Sequence, residues 1–352
     1  MRSRLPWLAV VTLLTASCSV AAEPPLVTPP STSSTSTSTT TTVPTSTSSS
    51  PQLDTSLING LPVNDPESMN RRVLAVKVDN HPIADPQSGI NHADMVVELM
   101  VEGITRFLTI WHESDVDYIG PVRSGRPTDS NLLPAMNHPT FAFSGAQGWV
   151  QNLISGNGVN MLKETSTGYF RISGRRAPHN LYADTNVLRE TADTRDYENE
   201  PPDGPLWAFG PIPDASPPAS RVVIDFSGNT VIWTWDAAQG LWLRTAYGSD
   251  SEWRDEDGTT GRISVPVMVA LYVDQYTASP PGGGKGLPSS NTIGTGKAFV
   301  FAEGKVTEGT WERESIEDWF TLKDTNGGIL TVPPGKIWVS LVPSNRGLSI
   351  EG

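Results

Sequence analysis

The sequence predicts an α+β fold, in which a mixed α/β N-terminal domain over residues 57–200 precedes a mainly antiparallel β domain over residues 221–352. In the first half, strand-like and helix-like patterns follow one another. The second half is a series of short runs rich in β-branched and aromatic residues, separated by turn sequences such as DTNGG. Residues 201–220 hold so many prolines that neither a continuous helix nor a central strand can form there, which predicts a connector.

The first 22 residues are typical of a secretory signal. Arg2 and Arg4 precede an apolar stretch that is shorter than the ~20 residues of a membrane-spanning helix. Cys18, the single cysteine, follows this stretch and predicts a lipobox, in which the cysteine carries a lipid anchor. The match is imperfect because Thr15 replaces the usual aliphatic residue, and ordinary cleavage after residue 22 is the alternative. The first alternative anchors the protein to the outer face of the cell membrane, and the second secretes it.

Residues 23–56 are almost entirely Ser, Thr and Pro, with no aromatic residue. Such a segment buries too little apolar surface to offset the entropy of ordering, which predicts a disordered tether. A chain of this length averages roughly 30–35 Å from end to end and stretches to ~110 Å. We therefore expect the tether to hold a folded head away from the membrane.

The composition of the head excludes several functions. It contains no cysteine, so neither a disulfide framework nor a thiol nucleophile is available. Residues 71–190 carry 11 Lys+Arg against 12 Asp+Glu, and residues 191–352 carry 12 against 22, so nucleic acid is not expected as a partner. Nine of the 11 cations in the first range are arginines, which favour planar recognition of carboxylate or phosphate groups.

Residues 93–113 predict a β-hairpin that turns around Gly103 and Ile104, with the glycine at the first central position. Alternation places only apolar residues on one face of the first strand, whereas Glu98 and Glu102 fall on the other face. Two acids in so apolar a strand suggest a function, and the alternative is a pair of solvated glutamates on an outer face. Two short helices are predicted further on, over QGWVQNLIS and NVLRETAD.

Several motifs together resemble the YerB-like family of bacterial lipoproteins. They are VKVDNHP (76–82), QSGI with ADMVVE (87–98), VEGITRFL (101–108), IGPVRSGRP (119–127), RRAPHNLY (175–182) and IGTGKAFVFAEGKVTEGTWERES (293–315). Their order and spacing match over nearly the whole head. The resemblance implies two consecutive domains of unknown function and a lipid anchor at Cys18, and it supplies no activity. That family's hairpin often has two glycines where this chain has Gly103 alone, and because one residue flips every later side chain, Arg106 is not assigned a face.

The motif GPVRSGRP supplies the main candidates for anion binding. Arg123 and Arg126 flank Ser124, and the fork of donors on each guanidinium suits an oxyanion. A helix is predicted to begin near Pro127. The alternative is that one arginine pairs with Glu98 or Glu102 as a structural ion pair, because isolated buried carboxylates are unfavourable.

The stretch RRAPHNLY contributes His179 and Asn180, and the end of the first predicted strand contributes Asp79 and Asn80. An aspartate beside an imidazole orients it in many hydrolytic sites. A lone histidine is more often structural than catalytic, and Asp79 can equally close a loop. We expect the pair His179 and Asn180 to line one cleft with Asp79 and the two arginines of GPVRSGRP, with His179 within ~12 Å of Asp79 or Arg123.

Two functions from different classes follow. The first is a tethered binding or scaffold module of the cell envelope whose arginine-lined cleft holds an anionic ligand or a protein partner. The second is an envelope hydrolase in which Asp79 or Glu98 acts with His179, and the arginines clamp an oxyanion. No standard catalytic motif is present, no cofactor is expected, and no ligand spacing supports a metal site at Asp79, His81, Glu98 and His179.

Overall fold

The computed structural model describes residues 55–352. The predicted signal peptide, the acylation site at Cys18 and all but the end of the tether lie outside the described residues. Residues 55–352 belong to one compact unit. Among the described residues, no helix is long and apolar enough to cross a membrane.

The first half alternates strands and short helices. The strands are β1 (Leu74–Asp79), β2 (Met95–Met100), β3 (Thr105–Trp111), β4 (Thr140–Phe143), β5 (Asn160–Lys163), β6 (Tyr169–Arg171) and β7 (Leu181–Ala183). The α-helices are α1 (Pro127–Leu132), α2 (Gly148–Gly156) and α3 (Thr185–Asp193), with 3-10 turns at Pro66–Asn70, Pro82–Ala84, Ile90–His92 and Leu133–Met136. The three helices agree with the predicted ones, and α1 begins at Pro127 because proline suits the first position of a helix.

All the regular secondary structure after residue 220 consists of β-strands. They are β8 (Arg221–Asp225), β9 (Thr230–Asp236), β10 (Leu241–Ala246), β11 (Ser249–Asp250), β12 (Glu252–Arg254), β13 (Thr260–Arg262), β14 (Ser264–Val265), β15 (Val267–Ala278), β16 (Leu287–Asn291), β17 (Gly294–Ala302), β18 (Lys305–Arg313), β19 (Thr321–Asp324), β20 (Ile337–Pro343) and β21 (Leu348–Glu351). The chain is therefore an α+β protein in which strands dominate.

One large mixed sheet contains strands from both halves of the sequence. Its order is β19-β18-β17-β15-β20-β2-β3-β1-β4-β5, and β16 pairs with β15. Strand β20 lies parallel to both β15 and β2, so it joins the two halves through backbone hydrogen bonds. A second sheet has the order β11-β10-β9-β8-β21, with β14 on β10. The division of the head into two domains at 201–220 stays a prediction.

The large sheet is buried on both faces. One apolar core, which contains Met95, Val97 and Leu108, covers one face, and a second core, which contains Val78, Val96 and Phe107, covers the other. All six residues of β1 are buried. Its polar members must therefore find partners within the protein, because a buried charge without a partner is strongly unfavourable.

The predicted hairpin of β2 and β3 is present, with Met100 opposite Thr105. That register centres the turn on Glu102 and Gly103, so the predicted first central position for Gly103 was wrong. Gly103 takes the second central position with φ of 72°, which glycine adopts without strain.

Candidate functional site

Asp79 ends β1 and is fully buried. Its Oδ2 lies 2.7 Å from Nδ1 of His179 and 3.0 Å from Nε of Arg123, and its Oδ1 accepts the backbone N–H of His81. These three residues come from segments that are far apart in the sequence. His179 therefore lies much closer to Asp79 than the expected limit of ~12 Å.

Three arginines lie on this side of the sheet, and one of them, Arg123, contacts the carboxylate of Asp79. Arg106 stands opposite Asp79 in the pairing of β1 with β3, and its Nη1 donates to the backbone oxygen of Ser124 at 2.9 Å. Arg126 contacts Glu102 through Nε and Nη2 at 3.0 and 2.9 Å. We call Arg106, Arg123 and Arg126 the arginine cluster.

The loop that carries two of these arginines is fixed along β1. The N–H of Arg123 donates to the oxygen of Lys77 at 2.8 Å, and the oxygen of Arg123 accepts from the N–H of Ser144. Residue 125 leaves room for no large side chain, because a Cβ there would lie 3.2 Å from the ring of Phe141. The positions of both arginines therefore depend on backbone contacts as well as on their side chains.

The cluster has more positive than negative charge, with three guanidinium groups beside the two carboxylates of Asp79 and Glu102. Burial and the neighbouring cations Arg126 and Arg123 lower the pKa of Arg106 to about 10. Arg106 is 4% exposed, and its Nε has no hydrogen-bond partner among residues 55–352. The Nε of Arg123 is close to Asp79, yet its N–H is not aligned for a hydrogen bond. Among residues 55–352, the cluster thus keeps one buried donor, Nε of Arg106, without a protein acceptor.

A buried ion pair that the sequence did not predict lies on the same face of β1. Nζ of Lys77 contacts Oδ1 of Asp129 at 2.7 Å, and Oδ2 of Asp129 accepts the backbone N–H of Arg126. Desolvation lowers the pKa of Lys77 to about 8, against the opposing effect of Asp129. The signals available in the sequence were a lysine within an apolar strand and an aspartate three residues after Arg126.

Glu98 and Asn80 lie on the opposite face of the sheet, away from the arginine cluster. Glu98 is fully buried, and its Oε1 accepts from Arg244 at 2.7 Å and from Thr105 at 2.8 Å. The side-chain amide of Asn80 donates to Thr105 at 2.6 Å. Glu98 is therefore not a solvated glutamate, and its partner is an arginine that no motif had indicated.

Arg244 is 1% exposed and lies against two rings, 5.2 Å from the centroid of Phe107 and 5.3 Å from that of Trp338. Alternation along β10 places it on the same inward face as Trp242. That alternation was the one signal in the sequence that could have found it.

His179 and Asn180 point to different surroundings. The ring of His179 is 5.1 Å from that of His81, and its side chain is 14% exposed. Oδ1 of Asn180 accepts from Arg171 at 2.7 Å, so this amide links the end of β6 with the residue that precedes β7. The structure thus brings together Asp79, Arg106, Arg123, Ser124, Arg126, Glu102 and His179, whereas Asn80, Glu98 and Asn180 make their contacts elsewhere.

One of the two arginines in RRAPHNLY, Arg175, makes structural hydrogen bonds. Its guanidinium donates to the backbone oxygens of Ala84 and Pro86 at 2.6 and 2.5 Å. This arginine therefore connects the loop after β1 with the segment that carries His179. Within residues 55–352, no group of three or more His, Cys, Asp or Glu side chains is arranged to hold a metal ion.

The mixed sheets and the arginine–carboxylate pairs on both faces define an α+β protein whose two sequence halves share one sheet. The chain belongs to the DUF3048 family, described as a protein of unknown function. The model of the family's N-terminal domain matches residues 58–198, and the model of its C-terminal domain matches residues 222–339. The resemblance stated from the motifs is confirmed.

A similar protein and a similar crystal structure carry the same name, YerB of Bacillus subtilis. "Putative lipoprotein YerB" of Bacillus subtilis (strain 168) is 27% identical over 300 residues, which cover 80% of this chain and 84% of that protein. The crystal structure of the YerB protein from Bacillus subtilis matches with a TM-score of 0.71 at 23% identity, and covers 84% of this chain and 99% of that chain. At this identity the structural match shows the fold alone.

Proposed function

We propose that this protein is an extracytoplasmic lipoprotein whose head is a tethered binding module for an anionic group. The lipid anchor is Cys18, and residues 23–56 are the spacer. The name of the Bacillus subtilis relative supports the anchor. The binding site is the arginine cluster, and its ligand carries a carboxylate or a phosphate.

The observation that carries this proposal is the buried Nε of Arg106, which has no partner among the described residues. A buried donor without a partner destabilises the protein by ~1–3 kcal/mol, and an oxyanion that accepts from it relieves this. Arg123 and Arg126 are 22% and 11% exposed, so the cluster reaches the surface.

Glu102 is the group that an anionic ligand displaces. Its side chain is 42% exposed, and it occupies the fork of Arg126. Arg126 lowers the pKa of the Glu102 carboxyl, so this residue is ionised at neutral pH and competes with a ligand of the same charge. Because the carboxylate of Glu102 faces solvent, it can leave Arg126 and be rehydrated when an anionic ligand binds.

Calorimetric titration of the full chain with inorganic phosphate and with acetate tests the binding module. We expect Arg126→Ala to weaken binding by about tenfold or more, which corresponds to ~1.4 kcal/mol. Arg346→Ala is the matched control, since that arginine is 41% exposed and pairs with Asp225 at 3.7 Å. Equal affinity of wild type and Arg126→Ala for both anions rules the site out.

Membrane fractionation tests the anchor. Cys18→Ala is expected to move the protein from the membrane to the soluble fraction and to abolish labelling by a fatty-acid probe. A wild type that takes no label and is released from the membrane as fully as Cys18→Ala identifies ordinary signal cleavage instead.

The contact of His179 with Asp79 supports a second function, an envelope hydrolase. Asp79 orients the ring through Nδ1, which leaves Nε2 to take a proton from water, and the arginine cluster stabilises the developing oxyanion. Glu98 has no part in this version because Arg244 engages it on the other face. Hydrolysis of p-nitrophenyl acetate that is lost in His179→Gln supports the hydrolase, and equal rates in both proteins exclude it.

A further inference from the structure

A cavity of about 510 Å³ lies in the second half of the chain, and none of its lining residues belongs to the arginine cluster. The large sheet divides at this point. Strand β15 pairs with β17 only over Val267–Leu271 and then pairs with β16 over Asp274–Ala278, while β17 stays with β18 along its whole length. The cavity is the fork between these two pairs of strands.

The back wall of the fork is a fixed indole. Trp311 stands opposite Gly296, and its Nε1 donates to the backbone oxygen of Tyr272 at 2.8 Å. A Cβ at residue 296 would lie 2.5 Å from both that nitrogen and that oxygen. Only glycine at this position allows the indole to close the fork, so the shape of the cavity is set by the backbone.

The lining of the cavity is aromatic on one side and polar at the rim. Tyr272 and Phe299 lie with ring centroids 6.2 Å apart and line the cavity together with Trp311. Asp274 and Asn291 face each other across β15 and β16 at the rim.

Tyr276 extends this surface, and Ser344 orients the carboxylate at its rim. Tyr276 is 46% exposed and follows Asp274 by two residues, so alternation places it on the same face of β15. Oδ1 of Asp274 accepts from Ser344, which fixes the orientation of the carboxylate. Among the lining residues Lys297 is the one cation and Asp274 the one carboxylate, so the lining has no net positive charge to favour an anionic ligand.

We propose that this cavity binds an uncharged saccharide. A pyranose ring has an apolar C–H face that packs on aromatic rings and a rim of hydroxyls that donate to a carboxylate and accept from an amide. The cavity lies within the range of ~300–1,000 Å³ that small-ligand sites occupy. The aromatic side chains of the cavity match the C–H face of such a sugar. The carboxylate and the amide at the rim match its hydroxyls.

Calorimetric titration tests this site, with the full chain in a detergent that has no sugar headgroup. The probes are cellobiose, maltose and N,N′-diacetylchitobiose. We expect at least one of them to bind, and Asp274→Asn and Tyr276→Ala each to weaken that binding by about tenfold or more. Asp214→Asn, an exposed acid in the connector, is the matched control and is expected to bind like wild type.

Thermal unfolding of both variants within a few degrees of wild type shows that they fold. No binding of any of the three probes by the folded wild type overturns the proposal, and so does undiminished binding by both variants. Phosphate affinity in Asp274→Asn is expected to equal that of wild type, so this site and the arginine cluster are tested independently.

Discussion

Two carboxylate–arginine clusters lie on opposite faces of the same sheet, and they differ in access. Asp79 and Glu98 are both fully buried. Both oxygens of Glu98 accept hydrogen bonds, and Arg244 is enclosed between two rings. Beside Asp79 the arginines outnumber the carboxylates and two of them reach the surface. A buried guanidinium Nε without a hydrogen-bond partner among residues 55–352 occurs in both clusters. The same residue types therefore form a sealed contact on one face and an open one on the other.

This comparison indicates which properties separate a structural ion pair from a candidate binding site. Burial alone does not distinguish them, because each carboxylate is out of contact with water. Charge balance and exposure do distinguish them, since the sealed pair sets one cation against one buried anion, whereas the open cluster has an excess of cations, two of which reach the surface.

The largest expected effect is on the sealed face. Arg244→Met leaves Glu98 buried without its cation, and we expect a loss of ~3–5 kcal/mol in the free energy of unfolding. Denaturant unfolding measures it, with Arg346→Ala as the exposed control. A loss below ~1 kcal/mol would show that water or another group compensates Glu98, and the contrast between the two faces would fail.

The pH dependence of the free energy of unfolding tests the buried pair of Lys77 and Asp129. Its pKa falls from 10.5 to about 8 in the folded protein, so between these values the unfolded chain holds a proton that the folded protein has released. The free energy of unfolding that depends on Lys77 therefore rises with pH in this window, by up to roughly 3 kcal/mol.

Lys77→Met removes this rise. The measurement is the difference between wild type and Lys77→Met in denaturant unfolding from pH 7.5 to 10.5, which cancels the titration of the other groups. A difference that stays constant over the window contradicts the lowered pKa.

His179→Ala removes one partner of Asp79, and we expect a loss of ~1–3 kcal/mol in the free energy of unfolding. The adjacent change Asn180→Ala is the control, because that amide contacts Arg171 in a more exposed hairpin. Equal losses in the two variants would mean that the contact of His179 with Asp79 adds nothing to stability.

The smallest effect is expected at Glu102, on the open face. Glu102→Gln is expected to change the free energy of unfolding by less than ~1 kcal/mol and to raise the affinity for phosphate, since a competing charge is removed from Arg126. Thermal unfolding and calorimetry measure the two quantities. A loss of stability that matches Arg244→Met would make the open face a structural pair like the sealed one.

Much of the local structure was set by the sequence alone. The hairpin of β2 and β3, the helices α2 and α3 and the strand character of residues 221–352 follow from periodicity and turn residues, which act within a few residues of the chain. The gathering of Asp79, the GPVRSGRP arginines and His179 was also expected, because irregular segments rich in charge need one another or a ligand.

Only the tertiary structure decided which carboxylate meets which arginine. Arg244 reaches Glu98 across 146 residues of chain, and β20 enters the sheet in parallel between β15 and β2. Alternation within one strand fixes which residues share a face, but it does not specify the neighbouring strand or the element that covers the face. Those choices depend on packing energies summed over the whole sheet. The sequence therefore did not pair Glu98 with Arg244, although it did predict that the main residues of the open cluster lie together.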